Sequence, residues 1–368
     1  MKHDHQMIKK LLGAEQYLLF LISLYYLDQS KTDSFINNFK SKINLDFSRF
    51  RYAMYDTGIT PLIFHAVDPV ISRVASFDSN TIEKIRIESK NNRRVNVVRN
   101  ARIMMQCEEI ADIFRKENIE FIYLKGGASL LTNVWKSPQD RQLSDLDILI
   151  KPETTKQAIA CLHANGYAFR AEEIDRFSTH HHLPPLIHRS QSKVPLELHI
   201  KAGPSRYDLD LSPIDLFSEC ISATNDIAVL NPKHQISLAL LHGSQQLKAR
   251  NKIYLPLKDL LEYSLLVRKY PSAVGILKYK DLPLNLFTNL NSLLFSNHDE
   301  NRSSSNNHIS LINTRFLKGM RPGNYSTNLN HMEESFNPGK FVVSILSESP
   351  KTNMGRISRL FTNVLRKT

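Results

Sequence analysis

Apolar residues recur with helical spacing over most of the first 117 residues. The spacing predicts helices at 6–27, 33–43, 47–55, 62–70 and 91–117. Turn-forming residues at 56–61 (DTGITP) separate the third helix from the fourth. The last of these helices closes with ADIFRKE, directly before the first short apolar run. The sequence therefore predicts a helical N-terminal region that leads into a region of different architecture.

Between residues 121 and 200, short apolar runs alternate with amphipathic segments. We predict strands at 121–124, 145–150, 167–170 and 196–200, with helices at 128–135 and 153–165. Pro152 opens the second of these helices, and Gly166 stands where a helix C-cap is expected. The residues at 125–127 are predicted to form a turn and those at 136–143 a loop. This alternation predicts an α/β (α+β) core.

Helical spacing returns from Pro213 to Val267, and beyond residue 296 the composition changes to Ser, Asn and His, which predicts a polar linker. Residues 354–367 predict a basic amphipathic helix. This helix has three candidate roles: docking on its own protein, peripheral contact with an anionic membrane, or binding an acidic partner or RNA. We divide the chain into a helical region (1–100), a core (101–205), a second helical region (206–295) and a linker with the tail helix (296–368).

The chain is basic, with 48 Lys and Arg against 36 Asp and Glu and a formal net charge of +12. Such a charge favours nucleic acid, anionic lipid or phosphorylated substrates, although a solvated basic surface explains it equally well. The three cysteines lie far apart without CxxC spacing, which fits a reducing compartment. The most apolar run, 17–27, is too short to span a membrane, and no secretory signal is evident. We expect a cytoplasmic protein without a transmembrane segment.

Acidic side chains mark the second and the fourth predicted strands. Asp145 and Asp147 are one residue apart, so on a strand their carboxylates share a face and repel each other. A hard divalent cation such as Mg²⁺ is the partner that such a pair binds. Glu197 is the one acid in an otherwise apolar strand, where burial is costly unless the carboxylate is paired or metal-bound. A salt bridge from Glu197 to Arg141 is the alternative explanation.

Two glycines, Gly126 and Gly127, separate the first strand from the following helix, where the backbone can approach a ligand closely. Three polar residues near these glycines and the aspartates are candidate phosphate ligands: Lys125, Arg141 and Ser144. A pair of glycines or of aspartates alone would more often be structural. Their combination predicts phosphoryl or nucleotidyl transfer from a nucleotide.

The order LKGG, an arginine, SDLDIL and LELH resembles the uncharacterised nucleotidyltransferase family of the polymerase-β-like superfamily. The similarity extends from about Phe50 to Leu265 and includes TGITPLIFH and the helical segments that carry His242 and Asp259. The resemblance implies a small mixed-sheet nucleotidyltransferase core flanked by N- and C-terminal helical regions. It also implies that three acids are catalytic and hold two Mg²⁺ ions, with Mn²⁺ as the alternative: Asp145, Asp147 and Glu197. Residues 136–143 form an insertion relative to minimal members and bring in Arg141.

Several histidines and one further acid are candidates for contact with the substrate: His182, His199, His242 and Asp259. The histidine run at 180–182 lacks a nearby cysteine, and consecutive histidines cannot all bind one metal. A plain solvated loop, or a loop beside the site with one histidine in contact with substrate or phosphate, is therefore favoured over zinc. His242 lies on an apolar helix, where a core histidine is the alternative.

We predict Mg²⁺-dependent transfer of a nucleoside monophosphate from an NTP such as ATP to an unidentified acceptor. The acceptor is a small molecule, a protein hydroxyl or RNA, and the positive charge favours a polyanion such as tRNA. One alternative is a kinase that transfers the γ-phosphate at the same site. The other is a catalytically silent protein that binds nucleotide or RNA.

Overall fold

Helices form most of the chain that the structure, a computed structural model, describes. The described residues are 2–37, 39, 41–169, 181–190, 192–203, 211, 213–248 and 255–276, together with 287, 288, 290, 291, 294 and 295. The α-helices are α1 (Lys2–Leu27), α2 (Gln29–Asn37), α3 (Phe47–Asp56), α4 (Ile63–Ala66), α5 (Ser72–Val74), α6 (Ser79–Lys116), α7 (Lys125–Leu131), α8 (Thr155–Ala164), α9 (Pro213–Ser218), α10 (Pro232–Lys248) and α11 (Leu257–Lys269). None of these helices is both long enough and apolar enough to cross a lipid bilayer. The predicted linker and tail helix at 296–368 lie outside the described residues.

Seven short strands form one mixed sheet among the described residues. The strands are β1 (Phe121–Tyr123), β2 (Leu146–Ile150), β3 (Tyr167–Phe169), β4 (Leu186–His188), β5 (Leu196–His199), β6 (Ile221–Ser222) and β7 (Ala228–Val229). Their order in the sheet is β3-β4-β5-β2-β1-β7-β6. Strand β2 lies at the centre, antiparallel to β1 and parallel to β5. The predicted α/β class with a mixed sheet and helical flanks is confirmed.

Local differences from the predicted elements have identifiable causes. Helix α6 begins at Ser79 because the Asp78 side chain accepts a hydrogen bond from Thr81 N at 2.7 Å and caps the helix. The polar residues 79–90 carry little apolar periodicity, so the sequence showed the helix only from residue 91. The predicted turn at 125–127 is the first turn of α7. Strands β4, β6 and β7 were not predicted, because each is only two or three residues long and too short to show an alternation of apolar and polar residues.

The two helical regions share one hydrophobic core. Side chains of α1 and α3 pack with those of α10 and α11 and with residues near 290, and Trp135 of the core loop joins them. A second cluster lies under one face of the sheet and includes Ile110, Phe114 and Ile148, and a smaller third cluster covers the other face. The regions predicted at 1–100 and 206–295 are therefore packed against each other, with the sheet beside them.

Helix α6 connects the helical core to the sheet. It is 38 residues long, and its residue Ile85 packs in the helical core whereas Ile103, Ile110 and Phe114 pack beneath the sheet. The predicted boundary between residues 100 and 101 lies inside this helix. One continuous element thus takes part in both cores.

Candidate active site

Strands β2 and β5 bring the predicted acids of separate segments together. Their parallel register pairs Asp147 with Glu197 and Leu149 with His199. Oxygen atoms of Asp147 and Glu197 and a ring nitrogen of His199 all lie within 4.8 Å of one another, as the ligands of one metal ion would. The residues Leu146, Ile148 and Leu198 that alternate with the acids are fully buried in the core. The period of two along each strand therefore separates the polar cluster from the hydrophobic core.

Asp147 is held on one side by two donors. The side chain is buried, and its Oδ1 accepts hydrogen bonds from Lys125 Nζ at 2.5 Å and from His199 Nε2 at 2.8 Å. Burial alone would raise the pKa of Asp147, but the Lys125 ammonium and His199 hold that pKa well below its usual range. The second oxygen, Oδ2, receives no hydrogen bond from the described residues. One oxygen of an ionised carboxylate thus remains available to a ligand.

Asp145 has a different environment, although the sequence suggested two equivalent carboxylates. It lies one residue before β2, and its carboxylate makes no hydrogen bond or ion pair with the described part of the chain. Burial raises the pKa of Asp145, and the nearby charges of Asp147 and Glu197 raise it further. A bound cation would remove this electrostatic penalty.

His199 lies behind the acids. Its ring is completely buried, and Nε2 lies 2.8 Å from Asp147 and 3.8 Å from Glu197 Oε2. Burial alone would lower the pKa of His199, but the hydrogen bond to Asp147 and the nearby carboxylate of Glu197 raise it. His182 Nδ1 lies 4.0 Å from Glu197 Oε2, and its ring centroid is 5.1 Å from that of His199. His199 therefore contacts Asp147 directly, whereas Nδ1 of His182 lies 2.9 Å from the main-chain oxygen of Leu183; contact of either histidine with a substrate stays a prediction.

The glycines open α7 in a tightly packed setting. A Cβ atom on Gly126 would lie 2.0 Å from Leu143 Cδ2, and one on Gly127 would lie 3.1 Å from Leu146 Cδ2. Close packing against these leucines is therefore a sufficient reason for both glycines. Lys125 has a φ of 45°, a left-handed conformation that is uncommon for a residue with a side chain. Such conformations concentrate at functional sites, and here the strained residue delivers the ammonium to Asp147.

Arg141 is held by an ion pair, by an aromatic ring and by hydrogen bonds to its main-chain oxygen. Its Nη2 lies 2.8 Å from Glu262 Oε2, and its guanidinium carbon lies 5.8 Å from the ring centroid of Trp135. Its main-chain oxygen accepts hydrogen bonds from Asn96 at 3.0 Å and from Asn100 at 2.6 Å, both on α6. The partner of Arg141 among the described acids is therefore Glu262, and the predicted alternative of a salt bridge to Glu197 is wrong. The arginine belongs to a loop anchored on α6 and α11.

Asp140, next to Arg141, anchors the same loop to the N-terminal helices. Its carboxylate is nearly inaccessible and accepts a hydrogen bond from Tyr26 Oη at 3.0 Å, while His65 Nε2 lies 2.9 Å away. Arg93 Nε lies 3.9 Å from the same carboxylate. A buried acid with three partners from α1, α4 and α6 fixes the loop that the sequence showed only as an insertion.

A cavity of about 250 Å³ opens beside the aspartates. The core contributes Lys125, Gly126, Arg141, Ser144, Asp145 and Asp147 to its wall, and the helices α10 and α11 contribute His242, Lys258, Asp259 and Glu262. The predicted residues Gly127, His182, Glu197 and His199 do not line it. Two separately predicted groups, the aspartate pair and the His/Asp helical segment, therefore meet at one cavity.

His242 and Asp259 interact directly across the two helices. His242 Nδ1 lies 3.1 Å from Asp259 Oδ1. Burial would raise the pKa of Asp259, but the positive charge of Lys258 and the interaction with His242 lower it well below its usual range. Sequence reasoning missed Lys258 and Glu262 as cavity residues. The signal was present in LKDLLEY, where Asp259 and Glu262 are three residues apart and share one face of a helix that is otherwise apolar.

The donor set fits a hard divalent cation. Carboxylate oxygens dominate it, and both Asp145 and Asp147 keep oxygens that no described residue occupies, which matches the preference of Mg²⁺ for oxygen ligands beside phosphate. No cysteine is part of the described cluster, so its chemistry does not resemble that of a structural zinc site.

A protein-family model described as "Uncharacterised nucleotidyltransferase" matches residues 45–275 of the chain. Comparisons with curated proteins and with solved structures give no match. The matched range begins just before α3 and ends in the 3₁₀ turn Pro271–Ile276 that follows α11. All of the cavity residues named above lie within it.

Proposed function

Because the chain belongs to this uncharacterised nucleotidyltransferase family, we propose that it transfers a nucleoside monophosphate from an NTP to an acceptor in a reaction that depends on Mg²⁺. Family membership supports nucleotidyl transfer as the general activity, whereas the ion, the site residues and the acceptor are parts of the proposal. One observation carries the proposal. The carboxylates of Asp145 and Asp147 both line one cavity, each has an oxygen that no described residue bonds, and basic side chains line the same cavity.

Asp145, Asp147 and Glu197 are the residues that would hold Mg²⁺ or Mn²⁺. When bound, the ions would lower the pKa of an acceptor hydroxyl and neutralise charge that develops on the phosphates. Burial would raise the pKa of Glu197, but the nearby ring of His199 lowers it, which favours the ionised form that a metal ligand needs.

The other residues of the cavity would bind and orient the nucleotide. The ammonium of Lys125 holds Asp147 in position and supplies positive charge at the start of α7. Ser144 is exposed at the cavity wall and offers a hydroxyl to phosphate. Arg141, with its position set by Glu262 and α6, and the backbone of Gly126 and Gly127 complete the proposed nucleotide site. His242, oriented by Asp259, faces the same space from α10.

Transfer of label distinguishes this proposal from the kinase alternative. The purified protein is incubated with Mg²⁺ and each of the four NTPs, labelled at the α- or at the γ-phosphate, and with a cell lysate as the source of acceptors. We expect label from the α position to enter a product and pyrophosphate to be released. Label that enters only from the γ position would reject nucleotidyl transfer. Asp145→Asn serves as the inactive control.

The chemical class of the acceptor follows from the same reaction. The lysate is treated with ribonuclease or with protease before the assay. Ribonuclease removes the labelled product if the acceptor is RNA, protease removes it if the acceptor is a protein, and neither removes it if the acceptor is a small molecule. A mass shift on the labelled product then identifies the group transferred. Mg²⁺-dependent binding of NTP without any transfer would instead support the silent binding protein.

A further inference from the structure

Among the described residues that line the cavity, three are lysine or arginine: Lys125, Arg141 and Lys258. The first two are already paired, since Lys125 bonds Asp147 at 2.5 Å and Arg141 lies 2.8 Å from Glu262. An ammonium or guanidinium that is neutralised by a carboxylate has less charge to offer an anionic ligand. Lys258 therefore has more charge available for an anionic ligand than the other two.

Lys258 has no such partner. Its ammonium makes no hydrogen bond and no ion pair with any residue that the structure describes. The nearest acid in sequence, Asp259, is bonded to His242, and Glu262 is occupied by Arg141 and Ser129. An ammonium that borders a cavity without a direct ion pair, and that Asp259 and Glu262 attract only at longer range, is well suited to an anionic ligand, because the ligand would replace the solvation that partial burial removes.

The position of Lys258 is fixed by the segment after α3. The main-chain N of Lys258 donates a hydrogen bond to Thr57 O at 3.2 Å. Its side-chain stem lies against Gly58, where a Cβ would be 3.0 Å from Lys258 Cδ. Gly58 also has a φ of 70°, which a residue with a side chain rarely adopts. The stem is thus held in place in a residue that lines the cavity.

We propose that Lys258 binds the polyphosphate tail of the nucleotide, on the wall of the cavity that α11 supplies. The inference rests on the proposed function, because it assumes that the cavity receives an NTP. Lys258 and Asp145 line the same cavity and their opposite charges attract each other, so the ammonium offsets part of the repulsion between this carboxylate and a phosphate group. The triphosphate carries nearly all of the negative charge of the substrate, and a compact ammonium with three donors matches phosphate oxygens.

Nucleotide binding to the full-length protein tests the proposal. Calorimetric titrations with Mg²⁺ compare the NTP, NDP and NMP of the base that the wild type binds best, with inorganic pyrophosphate as a further ligand. The variants are Lys258→Met, which keeps the length of the stem, and Lys258→Arg, which keeps the charge. Lys156→Met, an exposed lysine on α8 outside the cavity, is the matched control.

We expect Lys258→Met to weaken binding of NTP and of pyrophosphate by about 10- to 100-fold, the loss typical of one charge-assisted hydrogen bond. Binding of NMP should change by no more than about twofold, and Lys258→Arg should retain most of the affinity for NTP. Thermal unfolding should show Lys258→Met at least as stable as the wild type, because an unpaired and partly buried charge is removed.

Three results would overturn the inference: unchanged affinity for NTP and pyrophosphate, an equal loss for NTP, NDP and NMP, or a loss that appears only for an acceptor. The proposed function fails separately. If the wild type shows no Mg²⁺-dependent binding of any NTP, the cavity is not a nucleotide site. If the wild type and Lys258→Met bind NTP equally well, the function stands and Lys258 has no part in it.

Discussion

The different environments of the two aspartates predict opposite effects on stability from the same chemical change. Asp145→Asn and Asp147→Asn each replace one carboxylate with an amide of nearly the same shape. Asp147 neutralises Lys125 and bonds the buried His199, whereas Asp145 has no partner among the described residues and is repelled by its neighbours. We expect Asp147→Asn to destabilise the protein and Asp145→Asn to leave it unchanged or more stable. Both should abolish transfer.

The magnitude for Asp147 follows from its contacts. Removing one partner of a buried ion pair costs about 3–5 kcal/mol. The side chain of Lys125 is 22% exposed, so water can solvate part of its charge. We therefore take the lower end of the range, about 3 kcal/mol, which corresponds to a decrease in Tm of about 4 °C for a chain of 368 residues. Asp145→Asn instead removes the repulsion between Asp145 and the neighbouring carboxylates, so the free energy of unfolding should stay the same or increase.

Thermal unfolding at several pH values, followed by circular dichroism without divalent metal, is the measurement. The folded pKa of Asp147 is lowered, so its stabilisation is present above the ordinary pKa of about 4 and is lost as the pH falls through the folded value. The difference between wild type and Asp147→Asn should therefore be largest near pH 7 and should shrink below about pH 4.

For Asp145 the folded pKa is raised, so protonation favours the folded state, and that contribution is lost as the pH rises through the folded value. Any gain in stability from Asp145→Asn should appear near neutral pH and vanish in acid. Equal destabilisation by both substitutions at pH 7 would refute the reasoning, because it would mean that Asp145 is paired as Asp147 is.

Three further predictions concern the same site. Saturating Mg²⁺ should stabilise the wild type and raise its Tm, since a ligand at 100 times its Kd adds about 2.7 kcal/mol to the free energy of unfolding, and EDTA should reverse the increase. An equal increase in Asp145→Asn would argue against a role of this carboxylate in metal binding. Gly126→Ala should cost about 1–3 kcal/mol because its Cβ meets Leu143, and adding Leu143→Ala should restore part of the loss in chemical denaturation; no cost would show that α7 can shift. Asp140→Asn should lower both stability and kcat by loosening the loop that carries Arg141, and lower stability with unchanged kcat would show that Arg141 does not depend on this anchor.

Much of the core was predictable because its signals are local. The apolar runs at 121–124 and 145–150 identified β1 and β2, and the alternation of residues around Asp147 and Glu197 indicated which face each acid would take. The pairing of β2 with β5 was the step that the sequence supported only by resemblance. The register confirms that Asp147 and Glu197 are neighbours, which no local pattern could fix.

The side-chain partners in the candidate site could not be predicted, because they depend on contacts between segments that are distant in sequence. Asp147 and Asp145 differ because Lys125 and His199 reach only the former, and no spacing in SDLDIL reveals this difference. The partner of Arg141 is Glu262, more than a hundred residues later. Lys258 was overlooked because a lysine near the start of an amphipathic helix is ordinarily solvated. Only the fold places its side chain at the cavity.

The shared hydrophobic core of the two helical regions has a consequence for biosynthesis. The apolar segment of α1 around Tyr17–Leu27 packs in part against α10 and α11, whose residues leave the ribosome more than 200 positions later. At about 5–20 residues per second, that segment waits on the order of 10–50 s for its last partners. During this time an aromatic and aliphatic surface stays partly uncovered on the nascent chain, and we expect chaperones that bind apolar segments to occupy it until α11 emerges.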